Sequence, residues 1–322
     1  MAVYTEVDDD DLIRYCAQYD LGEVLACKGI AEGVENTNYL LTLTTGPYIL
    51  TLYEKRVKID DLPFFLDLMT HSAAAGVPCP KPLRGRDGAA LRELCGKPSV
   101  LISFLAGMSP SRPKTFHCAE VGRALGEFHL ANADFEGVRE NDLSVSSWRG
   151  LLDASGDRID QLRPGLYQAL GAELDGLELA WPSDLPCGII HADLFPDNVF
   201  FRGQYLSGLI DFYFACTDSF AYDLAVCLNA WCFEPDGSFN IAKAQALLTS
   251  YARVREFTQS EMASLPVLAR GASMRFLLTR LYDWIHTPED AWVVRKDPME
   301  YWHKMKFHQA VSGPGDYGLG HS

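Results

Sequence analysis

The chain has 322 residues, 48% hydrophobic and 22% charged, an ordinary globular composition that points to two domains or closely joined lobes and excludes a disordered chain. A formal net charge of −15 repels phosphate backbones and argues against nucleic-acid binding. Nine cysteines form no C-x-x-C pair, so neither a zinc knuckle nor a thioredoxin-like site is expected, and free thiols suit a reducing cytoplasm. The acidic N-terminus lacks the apolar segment of a signal peptide, and no apolar run approaches a membrane span.

Residues 7–19 read as a short amphipathic helix through Leu12, Ile13, Cys16 and Tyr19, with Asp8 to Asp11 as its solvated start. Two β-rich runs, from Tyr39 and from Tyr48, flank Thr45-Gly46-Pro47 and predict a hairpin. Helical periodicity returns over 60–75, and Gly76-Val-Pro-Cys-Pro-Lys-Pro82 then forces extended chain. Residues 99–105 form an apolar strand. Helical patterns follow at 116–130, 147–175, 220–232, 240–253 and 260–287, and the Gly-rich tail from Gly313 is expected to fray. His129, on the apolar helix at 116–130, reads as structural. The expected class is α+β: a small β-rich lobe over 1–105, a hinge at about 103–107, a larger mainly helical lobe over 106–312, and a flexible tail over 313–322.

The densest polar cluster is His191-Ala-Asp193-Leu-Phe-Pro-Asp197-Asn198, followed by Gly208-Leu-Ile-Asp211-Phe-Tyr213. Each places a carboxylate at the edge of an apolar strand, where burial without a partner would be costly. Two short strands around Arg202-Gly203-Gln204 would fold Asp211 back beside Asn198. Two carboxylates and an amide oxygen then form an oxygen-rich pocket of the kind that suits Mg²⁺ with substrate phosphates. A plain structural reading makes the same aspartates turn and cap residues.

The pattern H-x-D-x-x-x-x-N followed by I-D-F resembles the catalytic and metal-binding loops of protein kinases. It is closer to aminoglycoside phosphotransferases and choline kinases, whose H-x-D has no arginine after the histidine. The resemblance implies a protein-kinase-like two-lobed fold. It makes Asp193 the base for an attacking hydroxyl, Asn198 and Asp211 the Mg²⁺ ligands, and His191 a support of the loop. Asp223 corresponds to a buried aspartate that accepts hydrogen bonds from that loop. Gly33, Asn36 and Asn38 fall where a hairpin covers the ATP phosphates, and Ser103, Phe104 and Leu105 where a hinge meets adenine. Ordinary polar turn residues are the alternative for Gly33, Asn36 and Asn38.

Two positions depart from the kinase pattern. Thr51 stands where a phosphate-pairing lysine or arginine is expected, with Lys55, Arg56 and Lys28 as open substitutes. Tyr213 stands where the kinase motif has glycine.

Along nearly its whole length the chain resembles the homoserine kinases of this fold, in segments such as Leu50-Thr-Leu-Tyr-Glu54 and Arg275-Phe-Leu-Leu-Thr-Arg-Leu-Tyr-Asp-Trp284. That resemblance implies ATP-dependent phosphorylation of L-homoserine on the route to threonine. Tyr213, Arg275, Arg280 and Asp283 are the candidate substrate-binding residues, and Asn229 and Trp231 further wall candidates. An Arg280–Asp283 pair within the helix is the structural alternative. A kinase of another small hydroxyl compound (an amino alcohol or aminoglycoside), or a nucleotide-binding regulator without turnover, stays open. Oligomeric state is not readable.

Overall fold

The computed structural model describes residues 5–31, 36–54, 57–286 and 295–319. Gly33, Lys55 and Arg56, named above as nucleotide-site candidates, lie outside the described residues.

Helix α1 spans Asp9–Cys16. Asp8 caps it, its carboxylate accepting the Asp11 N–H at 2.8 Å, and three aspartates occupy the first turn, where the helix dipole favours negative charge. The acidic run is thus a helix start. Strands β1 (Val24–Ile30), β2 (Thr37–Leu43), β3 (Gly46–Leu52), β4 (Arg92–Leu94) and β5 (Lys97–Ser103) form one antiparallel sheet in the order β1-β2-β3-β5-β4. β2 and β3 are the expected hairpin. One sheet face, with Leu41, Leu43, Leu50, Leu52 and Leu101, packs against Leu12, Tyr15 and Cys16 of α1. Val100 and Ile102 of the other face join the main core, as strand alternation requires.

Helix α2 (Leu62–Ala74) follows β3. After β5 come α3 (Thr115–Ala131), α4 (Val145–Ser155) and α5 (Leu166–Ala180). The long pattern at 147–175 is therefore two helices. Gly156 (φ 61°) and Gly165 (φ 75°) adopt left-handed backbone between them, and Pro164 cannot continue a helix.

Two small antiparallel pairs carry the polar cluster. β6 (Cys187–Ile190) pairs with β9 (Cys216–Ser219), and β7 (Val199–Arg202) pairs with β8 (Tyr205–Leu209). Helices α6 (Phe220–Trp231), α7 (Ile241–Ala252), α8 (Gln259–His286) and α9 (Met299–Gln309) complete the helical part. Within the tail expected to fray from Gly313, residues 313–319 are among those described. Pro314–Tyr317 forms a short 3-10 turn, and buried Tyr317 places its hydroxyl 2.8 Å from His308 Nδ1.

The segment after β5 is built onto the β7–β8 hairpin. Met108 and Phe201 exchange backbone bonds of 3.1 and 2.9 Å, and Ser207 Oγ donates to the Ala106 carbonyl at 2.8 Å. Gly107 has φ 155°, and a Cβ there would sit 2.9 Å from Phe200 Cβ and 3.1 Å from the Phe201 carbonyl. Only glycine lets the connector lie this close.

Candidate active site

β6 delivers His191 into the core and then releases the chain into the loop that carries Asp193. Ala192 adopts φ 62°, a conformation that costs a residue with a Cβ about 1–3 kcal/mol. It is pinned on both sides. Its N–H donates to Asp223 Oδ1 at 2.9 Å, and its carbonyl accepts from Arg275 Nη1 at 2.5 Å. Asp223 Oδ2 also accepts the His191 N–H at 2.7 Å and lies 3.1 Å from His129 Nε2. Burial works against the Asp223 charge, but the His129 hydrogen bond and the backbone donors outweigh it and hold the carboxyl below its ordinary range. His129 in turn places Nδ1 2.8 Å from the Tyr251 hydroxyl, so its role is structural.

His191 Nε2 donates to the Ile210 carbonyl at 3.0 Å, which fixes the ring tautomer. The Ile210 N–H donates to the Asn198 carbonyl at 2.9 Å. Asn198 Nδ2 donates to the Asp193 carbonyl at 2.8 Å and to Asp193 Oδ2 at 3.2 Å. These bonds form a circuit that brings Asp193, Asn198 and the residue before Asp211 together at the neck of the hairpin. Asp211 itself has φ 66° and stands at the residue before the 3-10 turn Phe212–Phe214; aspartate tolerates this left-handed conformation better than most residues.

Asp193 is half-buried. Burial pushes its carboxyl up to about 6, against the pull of Arg275 and Lys296. The donor set fits a hard cation. Both hydrogen bonds of the Asn198 amide nitrogen go to Asp193, which turns Oδ1 the other way, and Asp211 adds carboxylate oxygens. Among the described residues no group of three His, Cys, Asp or Glu side chains could hold a metal. A cation here would therefore draw its remaining ligands from substrate phosphate and water, as Mg²⁺ does.

On the sheet above, the face toward the helical part carries Asn38, Thr51 and Val100 in one row, and Lys28, Leu40, Ile49 and Ile102 in the next. Thr51 donates to Asn38 Oδ1 at 2.7 Å, and Asn36 Oδ1 accepts the Glu54 N–H at 3.3 Å. The Asn36 and Asn38 side-chain oxygens thus order the sheet. Glu54 pairs with Lys97 on β5. Ser103 bonds back to Lys81 through both backbone and hydroxyl, and Phe104 is exposed.

The expected substrate residues divide. Arg275 is 2% exposed; its guanidinium holds the Ala192 carbonyl and packs over Phe276 and Phe214 at 4.6 and 5.6 Å. Expected to meet substrate, it is placed on the Ala192 carbonyl beneath the loop of Asp193, a partner that its hydrophobic flanks in the sequence did not signal. Arg280 donates to Glu300 Oε2 at 2.6 Å and to the Asp297 carbonyl at 3.0 Å, so it pairs with α9. Asp283 is half-buried on α8. Asn229 binds the carbonyls of Ala225 and Ala269, and Trp231 Nε1 donates to the Leu194 carbonyl at 2.7 Å. Both are scaffold, and Trp231 supports the loop in a way its apolar surroundings did not signal. Tyr213 reaches the sheet, with its hydroxyl 3.0 Å from that of Tyr53 and its ring edge-on to Phe65. A separate groove lined by Phe64, Asp67, His71, Asp134 and Phe135 includes none of these residues.

Residues 26–257 match the Phosphotransferase enzyme family. The chain is 61% identical over 319 residues to a homoserine kinase of Rhodospirillum rubrum, covering 99% of both chains. It is 59% identical to one of Paramagnetospirillum magneticum, covering 99% of this chain and all of that one. Among solved structures, an amicoumacin kinase in complex with AMP-PNP, Ca²⁺ and Ami superposes with a TM-score of 0.70 at 15% identity, over 97% of this chain and 96% of that one. A spectinomycin phosphotransferase in complex with ADP and spectinomycin gives 0.68 at 12%, over 97% and 98%. These two likenesses establish a protein-kinase-like fold, with a five-stranded sheet followed by a mainly helical part.

Proposed function

The chain belongs to the phosphotransferase enzyme family and has homoserine kinase activity, and we propose that it moves the γ-phosphoryl group of ATP onto the side-chain hydroxyl of L-homoserine through Asp193, Asn198 and Asp211. The product is O-phospho-L-homoserine, an intermediate of threonine biosynthesis. In this reading the first lobe, to about residue 105, covers the nucleotide, with Ser103 to Leu105 along adenine and Gly33, Asn36 and Asn38 toward the phosphates. The second lobe, over 106–312, carries the chemistry, in a cytoplasmic enzyme. Among the described residues no helix is long and apolar enough to cross a membrane.

The observation that carries the reading is the Asn198 bridge to Asp193, together with the hairpin that returns the chain to Asp211. Asn198 occupies Asp193 Oδ2, so the substrate hydroxyl presents its proton to Oδ1. The oxygen–phosphorus bond to homoserine forms as the bond from the γ-phosphorus to the bridging oxygen of ADP breaks, and Asp193 takes the hydroxyl proton late. A loose transition state asks more of positioning than of base strength. Bound at Asn198 Oδ1 and the Asp211 carboxylate, Mg²⁺ would supply charge neutralisation for the phosphate oxygens. His191, Asp223 and Arg275 hold the loop so that the base does not have to be placed afresh in each turnover.

ADP release measured with L-homoserine, choline and kanamycin tests the reading. Magnesium-dependent release with homoserine alone is expected. Turnover of choline or kanamycin in preference to homoserine would overturn the substrate, and nucleotide binding without release would overturn the chemistry.

A further inference from the structure

Homoserine carries a carboxylate, and recognising it in a pocket calls for a cation. This inference rests on the homoserine reading and names the group that meets that carboxylate. Three cations on α8 and α9 are already engaged. Arg275 lies beneath the loop on the Ala192 carbonyl. Arg280 holds Glu300 and the Asp297 carbonyl. Lys304 is buried, donating to the Asn229 carbonyl at 2.9 Å and pairing with Glu300 at 2.6 Å.

Lys296 differs. It lies between α8 and α9 with 64% of its side chain exposed, and its Nζ is 3.9 Å from Asp197 Oδ2, a group itself 72% exposed. An ion pair this long and this open to water contributes little and is readily exchanged. The ammonium also stands 6.0 Å from the centre of the Phe195 ring. Phe195 and Asp197 belong to the loop of Asp193, so Lys296 overhangs the reacting group, and its charge is felt at the Asp193 carboxyl. The backbone beside it is fixed, because Asp297 accepts Arg280 on its carbonyl and the Met299 N–H on Oδ1 at 2.8 Å. Phe195 packs edge-on against Phe276, with centroids 4.9 Å apart, an apolar wall suited to two methylenes.

We propose that Lys296 binds the α-carboxylate of homoserine, exchanging Asp197 for the substrate and setting the chain length between carboxylate and hydroxyl. It acts on binding and alignment, and the proton still goes to Asp193.

The test compares L-homoserine with 3-amino-1-propanol, which is homoserine without its carboxylate, as substrates or as competing ligands. Wild type, Lys296→Met and Lys296→Arg are assayed with saturating ATP, and KM for ATP is measured in parallel. Lys296→Met is expected to lower kcat/KM for homoserine about 10- to 100-fold, mainly through KM. The amino alcohol and KM for ATP should stay within about threefold, and Lys296→Arg should recover part of the loss. An equal fall for both compounds would overturn the proposal in favour of a loop-ordering role. A rise in KM for ATP with homoserine unaffected would make Lys296 a phosphate partner instead. Wild type inactive with homoserine would overturn the substrate reading itself, and this inference with it.

Discussion

His129 and Asp223 meet inside the helical part, Nε2 to Oδ2 at 3.1 Å, although 94 residues separate them in the chain. The same carboxylate holds the amides of His191 and Ala192, so one buried charge joins α3, α6 and the loop of Asp193. Asp223→Ala would leave two buried N–H groups and a ring nitrogen without an acceptor. A loss of about 3–5 kcal/mol in unfolding free energy is expected, as when one partner of a buried charged network is removed. Urea denaturation of the two proteins measures it, and a loss below 1 kcal/mol would contradict this account.

Asp193→Asn keeps the shape of the loop and removes the carboxylate proposed as proton acceptor. Turnover is expected to fall about 10²- to 10⁴-fold, the usual contribution of a positioned base. ATP affinity by calorimetry should change by less than about threefold. A variant that turns over at nearly the wild-type rate would remove Asp193 from the base role.

Arg275→Ala separates support of the loop from contact with substrate. Its guanidinium braces a residue in left-handed backbone, so the loss should fall on kcat and on thermal stability, with KM for homoserine little changed. A large rise in KM with kcat intact would restore Arg275 to the substrate pocket.

Acid should weaken the fold through buried histidines. His308 is held at about 3, first by burial and then by the nearby Lys304 charge; its ordinary value is near 6.5. Below pH 6.5 the unfolded chain takes up a proton that the folded chain refuses until about pH 3. Stability is therefore complete above pH 6.5 and falls on acidification, by up to about 1.4 kcal/mol per pH unit from this group. His117, His129 and His191 are shifted the same way by burial. Unfolding free energies between pH 7 and 5 should fall less steeply in His308→Gln than in wild type. Identical slopes would rule out His308 as a contributor.

The order of polar residues from His191 to Asp211 was enough to foresee the hairpin that returns the chain toward Asn198, because short strands and a two-residue turn leave the chain few ways to close. The β2–β3 hairpin was legible for the same local reason. β1 was not: an edge strand with most residues exposed has no alternation to read. α9 hid because Lys304 is buried among its apolar positions, paired with the exposed Glu300, which breaks the expected apolar stripe. Arg275 and Arg280 looked like pocket cations, since sequence shows that a charge lies among apolar neighbours but not which partner it finds.

The β7–β8 hairpin carries two backbone attachments from the first part of the chain. Pro78 accepts the Leu209 N–H at 2.7 Å on β8, and Met108 is paired with Phe201 on β7. Together they define a line, and any opening of the sheet has to pivot about it, with the bending taken up by residues 104 to 107. Asn198 and Asp211 flank that same hairpin, one residue before β7 and two after β8, so such a swing would leave the two in register.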